Sequence, residues 1–170
     1  MSVVVLVGNP RPRSRTHDAA RLVAEKLTGR ESDQTVELAD LGAALFDPGH
    51  PEVAAAATAV QEASLLVVAS PTYKASYTGL LKLFLDGLGS GSLAGVTAVP
   101  LLLGAHRRHS LAAELLLKPV LVELGATVPT RGLFLLDSEY TASEELEKWL
   151  TSARPQVAAS LGATSVPATS

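Results

Sequence analysis

The chain has 170 residues, of which 47% are hydrophobic, 18% charged and 4% aromatic, and it carries a net charge of −3. That length suits one domain with a substantial core of Val, Leu and Ala, while the charge gives no electrostatic case for nucleic acid or an anionic membrane. With no cysteine present, disulfides, thiolate catalysis and Cys-ligated metal or iron–sulfur sites are excluded.

Residues 3–7 are a continuous apolar run that stops at Gly8, Asn9 and Pro10, as in a strand buried on both faces. No basic leader precedes it and no segment is apolar for the length of a bilayer, so a cytoplasmic location is the expectation. A polar, basic loop over 9–15 leads into a helix to about Leu27, with Ala20, Val23, Ala24 and Leu27 on one face and Gly29 as its stop. A short second strand is expected over 35–38, and Pro51 opens an alanine-rich helix to about Ala63. Residues 65–69 repeat the character of the first strand. From about Tyr77, Leu80, Leu81, Phe84, Leu85 and Leu88 form an apolar helical stripe. Further on, the pattern predicts a fourth strand over 96–103, one long helix over 108–124 closed by Gly125 and kinked at Pro119, a fifth strand over 128–136, and a last helix starting in the acidic segment 143–149. Strands alternating with helices at this spacing imply an α/β, doubly wound, five-stranded parallel sheet of flavodoxin-like order 2-1-3-4-5, in a single domain over 1–161. The Ala-, Thr-, Ser- and Pro-rich tail, 162–170, is expected to fray.

In such sheets ligands bind beyond the carboxyl ends of the strands, where the strand order reverses. That rule selects three loops. The first, Gly-Asn-Pro-Arg-Pro-Arg-Ser-Arg-Thr over 8–16, places Arg11, Arg13 and Arg15 with the hydroxyls of Ser14 and Thr16 at a helix N-terminus. Unpaired backbone N–H groups and the helix dipole favour an anion there, and a phosphate satisfies the whole set. A solvated basic loop with Ser14 or Thr16 capping the helix is the plainer alternative. Both the dinucleotide glycine fingerprint and the Walker A pattern are missing. The second loop, 70–77, brings Tyr73, Tyr77 and several amides, a wall suited to a flat heterocycle or simply two packed tyrosines. In the third, His106-Arg107-Arg108-His109 stands at another helix start, suiting a second anion or a solvated charged turn. His17 and His50 have no partner at metal-ligand spacing and read as surface residues, so no metal site is expected.

With these loops located, the sequence resembles the NADPH-dependent FMN reductases that supply reduced flavin to two-component monooxygenases. Gly8-Asn-Pro-Arg11…Ser14-Arg-Thr16 is similar to that family's Gly-Ser-Pro-Arg-x-x-Ser phosphate loop, with Asn9 in place of a serine. The stretch from Ser70 to Lys82 is similar to its Pro-x-Tyr-Lys-x-x-Tyr-Ser-Gly-x-Leu-Lys segment, which contacts the flavin ring, and His109 and 117–121 also match. Two departures stand out: Gly104-Ala105-His106 replaces Gly-Gly-Ser/Thr, and Leu115 replaces an interface Tyr or His.

The resemblance implies FMN and NADPH as ligands and hydride transfer between them, with binding and orientation supplied by the protein and no side-chain acid or base. It also implies cofactor contacts from Asn9, Arg11, Ser14, Arg15, Thr16, Pro71, Thr72, Tyr73, Lys74, Ser76, Gly104, Ala105 and His106. A homodimer or homotetramer meeting along the helix over 77–88, and a flavin-dependent monooxygenase as recipient, are further implications. Two rivals remain: a quinone, azo or metal-ion reductase with bound FMN, and a flavodoxin-type electron carrier. A receiver domain is excluded by Asn9-Pro10 and Ser70-Pro71, which stand where it needs acidic residues.

Overall fold

Val3, Val5 and Val7 face one side of β1 (Val3–Val7) and Val4 and Leu6 the other, and all five are buried. This accounts for the unbroken apolar run: a central parallel strand has no solvent side. The structure, a computed structural model, describes residues 1–47 and 49–164, with side chains through 162. After β1 come α1 (Arg15–Thr28), β2 (Gln34–Glu37), the one-turn α2 (Leu38–Leu41) and a 3₁₀ turn over Gly42–Phe46. Then follow α3 (Pro51–Gln61), β3 (Leu65–Pro71), α4 (Gly79–Asp86) and β4 (Thr97–Gly104). The remainder comprises a 3₁₀ turn at Arg107–His109, a π-helical turn at Ala113–Leu117, α5 (Lys118–Glu123), β5 (Leu133–Leu136), a 3₁₀ turn at Tyr140–Ala142 and α6 (Glu144–Thr164).

All strands pair in parallel in the order β2-β1-β3-β4-β5, as the alternation predicts. Ala20, Val23 and Ala24 of α1 with Leu146, Leu150 and Val157 of α6 cover one face, and Val60, Leu81, Phe84, Leu117 and Leu121 cover the other. Each fully buried Val or Leu contributes about 1.5–3 kcal/mol. Gly29, at φ 74°, ends α1 with its N–H on Glu25 O. Among the described residues, no helix is long and apolar enough to cross a membrane. Tail residues 165–170, part of the segment expected to fray, lie outside the described residues, and α6 runs to Thr164.

Pro100 sits in a central strand without breaking the ladder. Along β4 the N–H groups alternate sides: Thr97 donates to Ser64 O (3.0 Å) toward β3, and Ala98 to Thr127 O (2.8 Å) on the other side. Two residues on, the missing N–H of Pro100 faces the β5 side, one step before pairing begins at Leu101↔Leu133.

Three sequence-based expectations are corrected. The helix expected from Tyr77 begins at Gly79, because Tyr77 and Thr78 stay extended and Thr78 Oγ1 caps Leu81 N (3.1 Å). Its apolar stripe packs into the chain's own core; among the described residues the large exposed apolar side chains are Met1, Phe46, Tyr73, Leu111, Leu115, Leu116 and Val122. The single helix expected over 108–124 is divided into the 3₁₀ turn, the π turn and α5. Pro119 cannot donate back to residue 115, and the wider π turn, in which Lys118 N–H reaches Ala113 O, accommodates that loss. The fifth strand is confined to Leu133–Leu136. Before it, Pro129 lacks a donor and Gly132 passes so close to the π turn that a Cβ there would lie 2.5 Å from Glu114 N. Burial pushes the Glu114 carboxyl up, but the Gly132 N–H and Lys118 outweigh this and hold it below its ordinary value.

Candidate functional site

The loops after β1, β3 and β4 enclose a cleft of about 430 Å³ at the carboxyl edge of the sheet. Its floor is the first loop. Buried Asn9 organises it, accepting from Arg11 N (2.9 Å) through Oδ1 and donating from Nδ2 to Thr16 Oγ1 (3.0 Å). Ser14 is the N-cap of α1, its Oγ accepting from His17 N at 3.4 Å. The amides of Arg15 and Thr16, in the first turn, have no acceptor among the described residues. Arg15 is paired with Asp137, through the carbonyl at 3.2 Å and the carboxylate at 3.6 Å. The guanidinium groups of Arg11 and Arg13 line the cleft with no acidic partner among the described residues. Two unneutralised cations at the positive end of a helix repel one another and the dipole, and an anion removes both costs.

Arg13 adopts φ 47°, in the left-handed region. Its N–H is held by both oxygens of Glu37, each at 3.0 Å, and His17 Nδ1 lies 2.5 Å from Glu37 Oε1. His17 is thus no bare surface residue, because its ring is fastened to a buried carboxylate at the end of β2. Neither contact had a local signal, since Glu37 is 24 and 20 positions from its partners. Its place near the carboxyl end of the expected second strand was the one available clue.

The second loop stands as one wall. Tyr73 and Ser76 exchange backbone hydrogen bonds (2.8 and 3.1 Å) across a tight turn whose central residues, Lys74 and Ala75, have φ 51° and 67°. Two non-glycine residues in this region store about 1–2 kcal/mol each. Tyr73 is half exposed along the cleft, whereas Lys74 and Ser76 are not among its lining residues. The loop's base is locked: Ser70 Oγ accepts from Thr78 N (3.0 Å), and Thr78 Oγ1 donates to Gly8 O (2.6 Å).

Gly104 and Ala105 form the opposite wall with Leu103. A Cβ on Gly104 would lie 2.8 Å from Phe134 Cζ and 3.2 Å from Thr72 Oγ1, so only glycine keeps this wall back. Thr72 Oγ1 is buried with no hydrogen-bond partner among the described residues. His106 does not line the cleft, and the basic run after it does not open an α-helix. Arg107 is bonded to Glu145 and lies 3.8 Å from Glu139, so its charge is already answered on the α6 side. The cleft therefore gathers Asn9, Arg11, Arg13, Ser14, Arg15, Thr16, Pro71, Thr72, Tyr73, Gly104 and Ala105, and adds Leu103 and Asp137.

Residues 1–141 match the family model described as NADPH-dependent FMN reductase. The FMN reductase (NADPH) of Escherichia coli K12 is 37% identical over 145 residues, 82% of this chain and 75% of that protein. The NADH-dependent FMN reductase SfnF of Pseudomonas putida is 36% identical over 140 residues, covering 78% and 75% of the two chains. Among solved structures, the apo form of the NADH:FMN oxidoreductase EMOB superposes with a TM-score of 0.83 at 31% identity, over 98% of this chain and 91% of that one. With a matching fold, a matching family model over most of its length and relatives above 30% identity, the chain belongs to the NADPH-dependent FMN reductase family.

Proposed function

We propose that the protein is an oxidoreductase that passes a hydride from NADPH or NADH to FMN. The observation that carries this reading is the pair of unpartnered guanidinium groups, Arg11 and Arg13, beside free amides at the start of α1. This donor set fits a phosphate monoester, and the adjoining walls fit a planar ring system. In this reading Asn9, Arg11, Ser14, Arg15 and Thr16 hold the FMN phosphate. Pro71, Thr72 and Tyr73 flank the ring, with Lys74 and Ser76 shaping the turn behind them, and the orphaned Thr72 Oγ1 gains a partner from the ring's polar edge. Gly104 and Ala105 leave room for the nicotinamide, and a contact from His106, which does not line the cleft, stays an expectation of the resemblance.

When bound, FMN supplies the two-electron acceptor. The chain's own part is to fix the reacting faces and exclude water, the preorganisation that gives rate without a side-chain acid or base. Relatives named for NADPH and for NADH both occur, and we favour NADPH on the family resemblance. A flavin-dependent monooxygenase as recipient, a homodimer or homotetramer meeting along the helix expected over 77–88, and a cytoplasmic setting belong to the same reading. The test is steady-state oxidation of NADPH and NADH by the purified protein with FMN, FAD, riboflavin or a quinone added. FMN-dependent turnover is expected; no acceleration with any flavin overturns the reading.

A further inference from the structure

The geometry points to Glu37 as the positioning residue of the anion loop, a role that rests on the phosphate reading above. Glu37 ends β2, paired with Val7 of β1, and its side chain is almost wholly buried beneath the loop. It does not line the cleft. Its two oxygens take the Arg13 N–H at equal distances of 3.0 Å, and Oε1 also meets His17 Nδ1. A carboxylate can only accept, so His17 presents Nδ1–H to it.

A buried negative charge under an anion-binding loop works against the anion by simple Coulomb repulsion. Its presence there is explained by geometry. Arg13 is held at φ 47°, a conformation a side-chain-bearing residue leaves unless it is tied. With the Arg13 amide directed down to Glu37, the chain reverses between Arg11 and Ser14, and Arg11 and Arg13 both reach the cleft. Asn9 ties the inner side of the same turn through Arg11 N and Thr16 Oγ1. Glu37 is the outer tie, and His17, one turn into α1, fixes the carboxylate's orientation. The loop is thus preorganised from the neighbouring strand, which lowers the ordering cost of binding.

The test compares FMN with riboflavin, which has the ring but no phosphate, by fluorescence titration of the wild type, Glu37→Gln and Glu37→Ala, with thermal unfolding of each variant in the absence of flavin. The wild type is expected to prefer FMN. Glu37→Ala is expected to lose about tenfold or more in FMN affinity while riboflavin binding stays unchanged, and Glu37→Gln, which retains one acceptor oxygen, to fall between. If Glu37→Ala does not fold, the near-isosteric Glu37→Gln decides alone. A folded variant that keeps its preference for FMN, or that loses both flavins equally, overturns the positioning role. A wild type indifferent to the phosphate overturns the phosphate reading and this role with it.

Discussion

Thr78 Oγ1 donates to the Gly8 carbonyl oxygen across 2.6 Å, and Thr78 Oγ1 itself accepts from Leu81 N at 3.1 Å. One hydroxyl thus caps α4 and ties the loop after β3 to the loop after β1. Thr78→Val, which keeps the shape and removes the hydroxyl, is expected to cost about 1–3 kcal/mol, because it removes a cap and strands a buried carbonyl. Denaturant unfolding measures this, and Thr78→Ser should recover most of the loss.

Gly8 packs against α4 so tightly that a Cβ would fall 2.5 Å from Leu81 Cβ. Gly8→Ala should therefore destabilise the fold by about 1–3 kcal/mol. Leu81→Ala keeps the Cβ that the new methyl meets and empties a buried position, so the double variant Gly8→Ala with Leu81→Ala is expected to be less stable than Gly8→Ala alone. Thermal melts of the two variants give the comparison.

Arg11→Ala is expected to weaken FMN binding by about 1.5–3 kcal/mol, the size of a hydrogen bond to a charged group. A titration that yields the wild-type affinity would remove Arg11 from the site. Tyr73→Ala should in turn reduce the quenching of bound flavin fluorescence.

Ala75 holds φ 67° in the turn between Tyr73 and Ser76. Ala75→Gly should stabilise the protein by up to about 1 kcal/mol, since the relief of left-handed strain exceeds the added freedom of the unfolded chain. Unfolding midpoints with unchanged denaturant slope would register it.

Asp33 joins the start of the sheet, accepting from Val3 N at 2.7 Å and from the Arg30 guanidinium at 2.7 and 2.9 Å. The Arg30 contact first, and then the Val3 amide, lower its pKa from 3.8 to about 2. The depressed value means that the charged form favours the folded state: its contribution is complete above about pH 4 and fades as the pH falls through about 2. Asp33→Asn should therefore lower the melting temperature at pH 7, with the gap to wild type narrowing toward pH 2.

The strands that carry the cleft were legible because a strand buried on both faces must be apolar at every position, as residues 3–7 and 65–69 are. The three loops followed from the carboxyl-edge rule, and eleven of the residues chosen from them line one cavity. Legibility failed where the deciding partner was distant. Arg107 resembles a ligand cation in sequence, yet Glu145, 38 positions on, already holds it. The long helix over 108–124 broke up because the periodicity of its leucines is blind to the donor missing at Pro119 and to the backbone of Gly132 pressed against it. Left-handed turns at Arg13, Lys74 and Ala75 gave no signal, since none is a glycine.

The ion pair between Arg15 and Asp137 joins positions 122 apart, and this has a bearing on biosynthesis. A nascent polypeptide emerging amino-end first exposes its arginine-rich turn early, long before the counter-carboxylate has been translated. The cavity's rim includes Asp137, directly after the fifth strand at the edge of the sheet. A product terminated before Asp137 would keep the basic turn without the complete rim around it.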